Sequence, residues 1–236
     1  MATFLSLCQD VAAESGTTGF AATPSSVLNQ TGRLRLIVRW VNDAWRDVQM
    51  QRGDWLWMVG EAEVTPASAS GVYTAADLSL SRLADWRTTK GPTDDSGWTV
   101  QLASDATDPE SFLRYVPWRT FRNAYLRRPI PATDRPQIMT VDPQNRLRLG
   151  PAPDAVYILR GEYRQTPQTL AANDDTPEMP EQHHRLIVER ALDYLGIYDE
   201  ATAQVPAWSG RAAARLNDLI RDQTPLPSLH YLGPLA

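Results

Sequence analysis

Cysteine and lysine are nearly missing from this chain. Of its 236 residues only Cys8 is a cysteine, so no disulfide can close within it and a framework of staples is excluded as the source of the fold. Lysine occurs only at Lys90, which leaves arginine to supply the rest of the 23 basic residues. Arginine suits planar, bidentate and stacked contacts at interfaces better than lysine does, although a coding bias toward Arg and Ala gives the same pattern. Long apolar runs are absent too. A bilayer span needs roughly 18–20 consecutive apolar residues; the richest run, residues 34–41, is broken by Arg35 and Arg39, and no membrane partner is expected. The opening Met1-Ala2-Thr3-Phe4-Leu5 has neither the basic start nor the apolar segment of a secretory signal. With the single cysteine, this points to a protein made and used in a reducing cytoplasm. Positive charge is in deficit, with 23 basic against 28 acidic residues and a net charge of −5. That balance argues against a dedicated high-affinity nucleic-acid binder, while leaving room for local basic patches.

What is present is enough to fold. A hydrophobic content of 42% against 22% charged residues supports a buried core and one or two domains rather than a disordered chain. The eight tryptophans are expected mostly in that core, but Trp, Tyr and Arg also dominate interface hot spots.

Helical signals lie at both ends of the chain. Residues 3–14 place Phe4, Leu7, Cys8 and Val11 on one face and stop at Ser15-Gly16. Thr31 can cap a longer helix in which Leu34, Ile37, Val38, Val41, Trp45 and Val48 recur at spacings of three and four, ending near Gly53. From residue 55 to about 170 the sequence is punctuated by Pro, Gly, Asp and Ser between short apolar runs, the pattern of strands and loops. Residues 137–141, the turn Asp142-Pro143-Gln144-Asn145, and residues 146–149 read as a hairpin, with residues 156–164 as a third strand beside it. Pro117 can open a short helix carrying Trp118, Phe121 and Tyr125. Residues 67–97 are too polar to place. After a loop at 171–176, helix returns: Pro180, Glu178 and Glu181 suit a first turn, and Ile187, Ala191, Tyr194, Leu195 and Tyr198 form a stripe. A last helix over about 208–222 presents Ala212, Leu216, Leu219 and Ile220. Residues 224–236 hold Pro225, Pro227 and Pro234 among apolar residues and cannot be regular helix.

The expected fold class is therefore α+β, a helical bundle built from the N- and C-terminal helices with an inserted small β-rich domain. Its parts are residues 1–54 and 171–223 for the helical regions, 55–170 for the insert, and 224–236 as an extended apolar tail.

No arrangement of residues points to catalysis. There is no phosphate-cradling glycine loop, no nucleophile elbow and no paired-histidine zinc motif. His183 and His184 are adjacent and so face different sides of a helix, which prevents them from sharing a metal without outside ligands. Cys8 sits on an apolar stripe, where a structural thiol is favoured over a nucleophile. Asp94-Asp95 and Asp174-Asp175 lack the spacing of a calcium loop and read as solvated turns. Trp55 and Trp57 alternate as on a strand and could stack bases, but core packing at the junction of helix and sheet accounts for them better. Neither a metal nor a cofactor is expected.

Four stretches, taken in order, resemble the head-to-tail adaptor (head completion or connector) proteins of tailed bacteriophages. They are Phe4-Leu5-Ser6-Leu7-Cys8-Gln9-Asp10-Val11-Ala12; Thr31-Gly32 with Ile37-Val38-Arg39-Trp40-Val41-Asn42-Asp43-Ala44-Trp45, followed by Gln49 and Asp54-Trp55-Leu56-Trp57-Met58; Leu147-Arg148-Leu149-Gly150-Pro151-Ala152-Pro153-Asp154 with Tyr157-Ile158-Leu159; and Met179-Pro180-Glu181-Gln182-His183-His184 leading into Ile187-Val188 and Ala191-Leu192. The resemblance implies a structural virion protein, not an enzyme, that forms a twelve-fold ring of its own copies under the portal protein, extends the DNA channel and carries tail or nozzle proteins. Genomic DNA would pass through without sequence-specific binding. It implies a place in the neck of the virion, with assembly in the host cytoplasm. The partner-interface candidates are Trp208, Leu226, Leu229, Tyr231, Leu232 and Leu235. Two other readings remain: another neck or tail-completion protein, or, from a different class, a host peptide-binding module or accessory enzyme, which a concave pocket with convergent polar groups would reveal.

Overall fold

In the computed structural model the described residues are 1–16, 23–66, 70–88, 95–127, 133–201 and 203–224. They divide into two compact units, one formed by Met1–Trp57 with Gln168–Ala236 and the other by Met58–Pro167.

The first unit is helical. Helix α1, Phe4–Glu14, buries Phe4, Leu7, Cys8, Val11 and Ala12. Its N-terminus is closed by a reciprocal cap in which the Ser6 amide donates to the Thr3 hydroxyl (3.2 Å) and the Thr3 amide to the Ser6 hydroxyl (2.9 Å). The next two unpaired amides, of Phe4 and Leu5, donate to the carbonyls of Asp175 and Asn173 at 2.7 and 3.1 Å, so the 171–176 loop completes the helix start. Helix α2, Gly32–Met50, buries Ile37, Val41, Ala44, Trp45, Val48 and Gln49. Thr31 stands at its N-cap but makes no side-chain capping bond there. Helix α4, Arg185–Tyr198, is buried over most of its circumference, charged Glu189 and Asp193 included, because α1, α2 and α5 (Val205–Gln223) all pack on it.

Those two buried carboxylates on α4 are met by residues of neighbouring elements. Arg215 of α5 reaches Glu189 at 2.9 Å, and the Ser209 hydroxyl donates to Asp193 at 2.5 Å. Arg185 links Glu14 of α1 to the same Glu189. A buried charge left without such partners would cost several kcal/mol; here each one ties α4 to a neighbouring helix.

The second unit is an eight-stranded mixed sheet. Its strands are β1 (Val59–Val64), β2 (Val72–Tyr73), β3 (Leu83–Trp86), β4 (Asp95–Leu102), β5 (Ser111–Tyr115), β6 (Ile138–Val141), β7 (Leu147–Gly150) and β8 (Tyr157–Gln165), in the spatial order β1-β8-β4-β5-β6-β7-β2, with β3 also on β8. Among the described residues only β5 and β6 run parallel; the other pairs are antiparallel. The short helix α3, Trp118–Phe121, runs into a π-helical turn, Arg122–Leu126, in the connection between β5 and β6. The core gathers Trp86, Trp98, Val100, Leu113, Met139, Leu147, Leu149, Leu159 and Tyr163.

A helical bundle carrying a small β insert is therefore not the fold. The described residues form five helices, one of only four residues, and a curled eight-stranded sheet that makes up a unit of its own. The reason lies in long-range register. Strands β1 and β3 both pair with β8, as in Val59 opposite Arg164 and Trp86 opposite Tyr163, so segments too short or too polar to declare themselves are recruited by a distant partner. Residues 156–164 likewise do form a strand, but β8 lies beside β4, β1 and β3 instead of the 137–149 hairpin.

That hairpin is held by its own turn. The Asp142 carboxylate accepts from the backbone amides of Gln144 and Arg146, both at 3.0 Å, and from the guanidinium groups of Arg146 and Arg148, both at 2.8 Å. Burial opposes ionisation of Asp142, but these four donors outweigh it and hold its pKa below the usual carboxylate range. Asn145 takes the left-handed conformation (φ 56°) that closes the turn.

Candidate assembly surface

The groups that suggested chemistry are separated by the fold. Cys8 is fully buried, and burial pushes its thiol up to about 12, so it is a structural side chain. His184 is buried and its Nε2 donates to the Met179 carbonyl at 2.9 Å, whereas the neighbouring His183 is directed to Asp222 at 3.2 Å. Asp175 accepts from the amides of Ala171 and Ala172 and closes a turn; Asp94 lies outside the described residues. Among the described residues no group of three His, Cys, Asp or Glu side chains converges as a metal site would require. No helix among them is long and apolar enough to cross a membrane.

Trp55 and Trp57 do not alternate along a strand. They flank Leu56 around a one-turn 3-10 helix, Leu56–Met58, and their rings stack 4.6 Å apart, with Trp45 of α2 6.5 Å from Trp57. The Trp55 indole donates to the Val48 carbonyl at 3.0 Å, so the pair packs on the end of α2 and offers no free face to a base.

In the helical unit the surface that stands out is a groove between α2 and the C-terminal half of α4, lined by Leu36, Arg39, Trp40, Asp43, Tyr194, Ile197 and Tyr198 among others. Trp40 and Tyr198 meet with ring centroids 5.3 Å apart. Ile197 and Tyr198 are 62% and 63% exposed, a large apolar offering for the end of a helix. The rim is polar and tightly organised. Arg33 holds Asp199 through two parallel bonds at 3.0 and 2.5 Å, which keeps the Asp199 pKa low and fastens the start of α2 to the end of α4. The Tyr194 hydroxyl donates to Asp47, and burial together with that carboxylate raises the phenol to about 12. An apolar centre inside a charged rim is the anatomy of a protein contact rather than of an active site.

Sequence reasoning placed Tyr198 on the buried stripe of α4 and overlooked the flank of α2. The signal available was that Leu36 and Trp40 stand beside, not on, the Ile37–Val41–Ala44–Val48 face, apolar residues that the core itself does not need. Of the interface candidates, Trp208 lies in α5 and is buried against α4, where a Cβ at Gly196 would come within 2.8 Å of its ring. Leu226, Leu229, Tyr231, Leu232 and Leu235 lie outside the described residues.

Comparison with family models matches residues 2–230 to the SU10 adaptor protein. The chain belongs to the SU10 adaptor protein family. The resemblance read from the order of four short motifs thus holds over nearly the whole chain. As a bacteriophage adaptor it is a structural protein and a component of the virion. A search of individually curated proteins gives no match. The exposed part of this surface consists of the Ile197–Tyr198 step, the Trp40 ring beside it and a rim that carries Arg33, Arg39 and Arg46.

Proposed function

We propose that this adaptor joins the portal of the phage head to the tail, as a ring of copies, twelve in number, that continues the DNA channel and offers a platform to tail or nozzle proteins. The observation that carries the reading is the adaptor family match over residues 2–230. Two further features agree with it. A closed ring needs two unlike surfaces on each subunit, and the helical unit offers an apolar groove in which Ile197 and Tyr198 stand exposed. The net charge of −5 opposes tight retention of DNA, as a conduit requires.

In this proposal α2 and α4 form the body of the ring, and the stretch from Trp208 to the apolar, proline-rich residues 224–236 docks on the portal. Leu226, Leu229, Tyr231, Leu232 and Leu235 make the contact, while Trp208, packed on α4, fixes the helix from which they depart. Purified chain mixed with portal rings of the same virus, then examined by light scattering and negative-stain imaging, tests it. Twelve chains of 26.4 kDa add about 317 kDa on one face of the portal; absence of any complex at low and moderate salt would move the protein to another neck or tail position.

A further inference from the structure

The charge of the molecule is unevenly placed. Residues 58–167 contain 13 basic and 13 acidic residues, so the whole net charge of −5 belongs to the helical unit. Within the neutral β unit, residues 111–127 carry four arginines, Arg114, Arg119, Arg122 and Arg127, and no acid.

Most arginines elsewhere in that unit are spoken for. Arg87 pairs with Glu162, Arg135 with Asp108, Arg146 and Arg148 with Asp142, and Arg160 with Glu63. By contrast Arg119, Arg122 and Arg127 are exposed, and among the described residues none has a carboxylate partner. Arg114 is left aside, because it stands opposite Asp95 in the β4–β5 register.

The local backbone puts the three on one side. Arg119 and Arg122 are three apart at the passage from α3 into the π turn, and Arg122 and Arg127 are five apart, the repeat of a π turn. The aromatic residues take the other side. Phe121 is buried, its ring stacks 5.0 Å from Tyr125, and both line a cavity of about 130 Å³ with Val72, Leu149 and Pro151. The aromatic face thus anchors the turn on the sheet and leaves three cations exposed along it. Between them the exposed side chains are Thr120, Asn123 and Ala124, with Leu126 at the end. Arginine, threonine and asparagine are among the residue types that contact phosphate oxygens, and apolar exposure here is confined to Ala124 and Leu126 against three cations.

We propose that the face formed by Arg119, Thr120, Arg122, Asn123 and Arg127 binds the backbone phosphates of double-stranded DNA without reading sequence. The role of such a site rests on the channel reading above, in which DNA passes the ring. Contacts to phosphate alone let a protein slide along the duplex, so a small patch of this kind guides DNA without gripping it.

Fluorescence anisotropy of a labelled duplex of arbitrary sequence, titrated with the full chain at low salt and again as salt is raised, tests the site. The wild-type chain binds, two unrelated duplexes bind alike, and the triple variant R119A/R122A/R127A loses at least about tenfold in affinity. Its plot of log K against log salt is flatter by about 2.7, the value for three phosphate contacts. The R119K/R122K/R127K variant, which keeps the charge, keeps the salt slope, and R211A/R221A on α5 binds like wild type. The proposal is overturned if the wild-type chain ignores DNA, if the alanine variant binds as well as wild type, or if the alanine variant changes only the association of the chain with its own copies, which would make the patch a site for an acidic protein surface. Portal mixing reads the ring separately, so failure of DNA binding with an intact portal complex removes this inference alone.

Discussion

The side chain of Gln49 and the backbone of Gln168 form a closed pair: the Gln168 amide donates to Gln49 Oε1 at 2.7 Å, and Gln49 Nε2 donates to the Gln168 carbonyl at 3.0 Å. Two turns earlier on α2, Asn42 makes the same reciprocal pair with the backbone of Leu170, at 3.1 and 2.9 Å. Two side-chain amides thus act as the missing neighbour strand for a segment that has none. Gln49 is only 1% exposed, so its removal leaves a buried donor and acceptor unpaired. Q49A should lower unfolding free energy in urea by about 2 kcal/mol with an unchanged m-value.

In the sheet, Gly161 of β8 lies under the ring of Trp98, where a Cβ would come within 2.2 Å of Cδ2. Trp98 is fully buried and its indole donates to the Arg87 carbonyl at 3.1 Å, so it has no free direction to move. G161A should cost about 1–3 kcal/mol, seen as a lower Tm together with a change in tryptophan fluorescence.

Asp142 gives a pH signature. Its folded pKa is depressed below an unfolded value of about 3.9, so its contribution is complete above that value and is lost as pH falls through the folded one. D142N should be less stable than wild type at pH 7 by about 2 kcal/mol, because Arg146 and Arg148 lose their common acceptor. Denaturant melts below pH 4 should show the variant losing less further stability than wild type.

Cys8 should be silent in the folded state. With its thiol raised to about 12 and no exposed surface, an aromatic disulfide reagent at pH 8 should find no thiol in the native chain and one per chain after unfolding.

For the proposed docking segment, a chain truncated after Gln223 should keep its urea midpoint and fail to join portal rings. Normal portal binding by that chain would remove the C-terminal stretch from the contact.

Much of the helical unit could be read in advance because its information is local. The recurrence of Ile37, Val41, Trp45 and Val48 on α2 and the stripe on α4 each fit within one element. The 137–149 hairpin was equally legible, since Asp142-Pro143 and Asn145 carry turn chemistry of their own. The rest of the sheet was hidden by distance in sequence: β2 is two residues long and β3 four, and each exists because β7 or β8 pairs with it. The buried state of Glu189 and Asp193 was invisible for the same reason, as their partners belong to α5. At the assembly surface, Leu36 and Trp40 could have been noticed as apolar residues beside the stripe, whereas the exposure of Tyr198 depends on where α4 ends.

The position of β8, between β1 on one side and β4 on the other, with β3 also paired to it, sets a timetable for synthesis. On a ribosome the hairpins β4–β5 and β6–β7 emerge with both strands together, but β1 has no partner until residues 159–164 arrive, about a hundred residues later. Until then the sheet lacks the strand that joins β1 and β3 to β4, and α1 and α2 still wait for α4. A structure in which both units close on late-made residues has high contact order and folds slowly, so stalled or prematurely terminated chains should expose β1 and the apolar face of α2 to chaperones and proteases rather than leave a folded fragment.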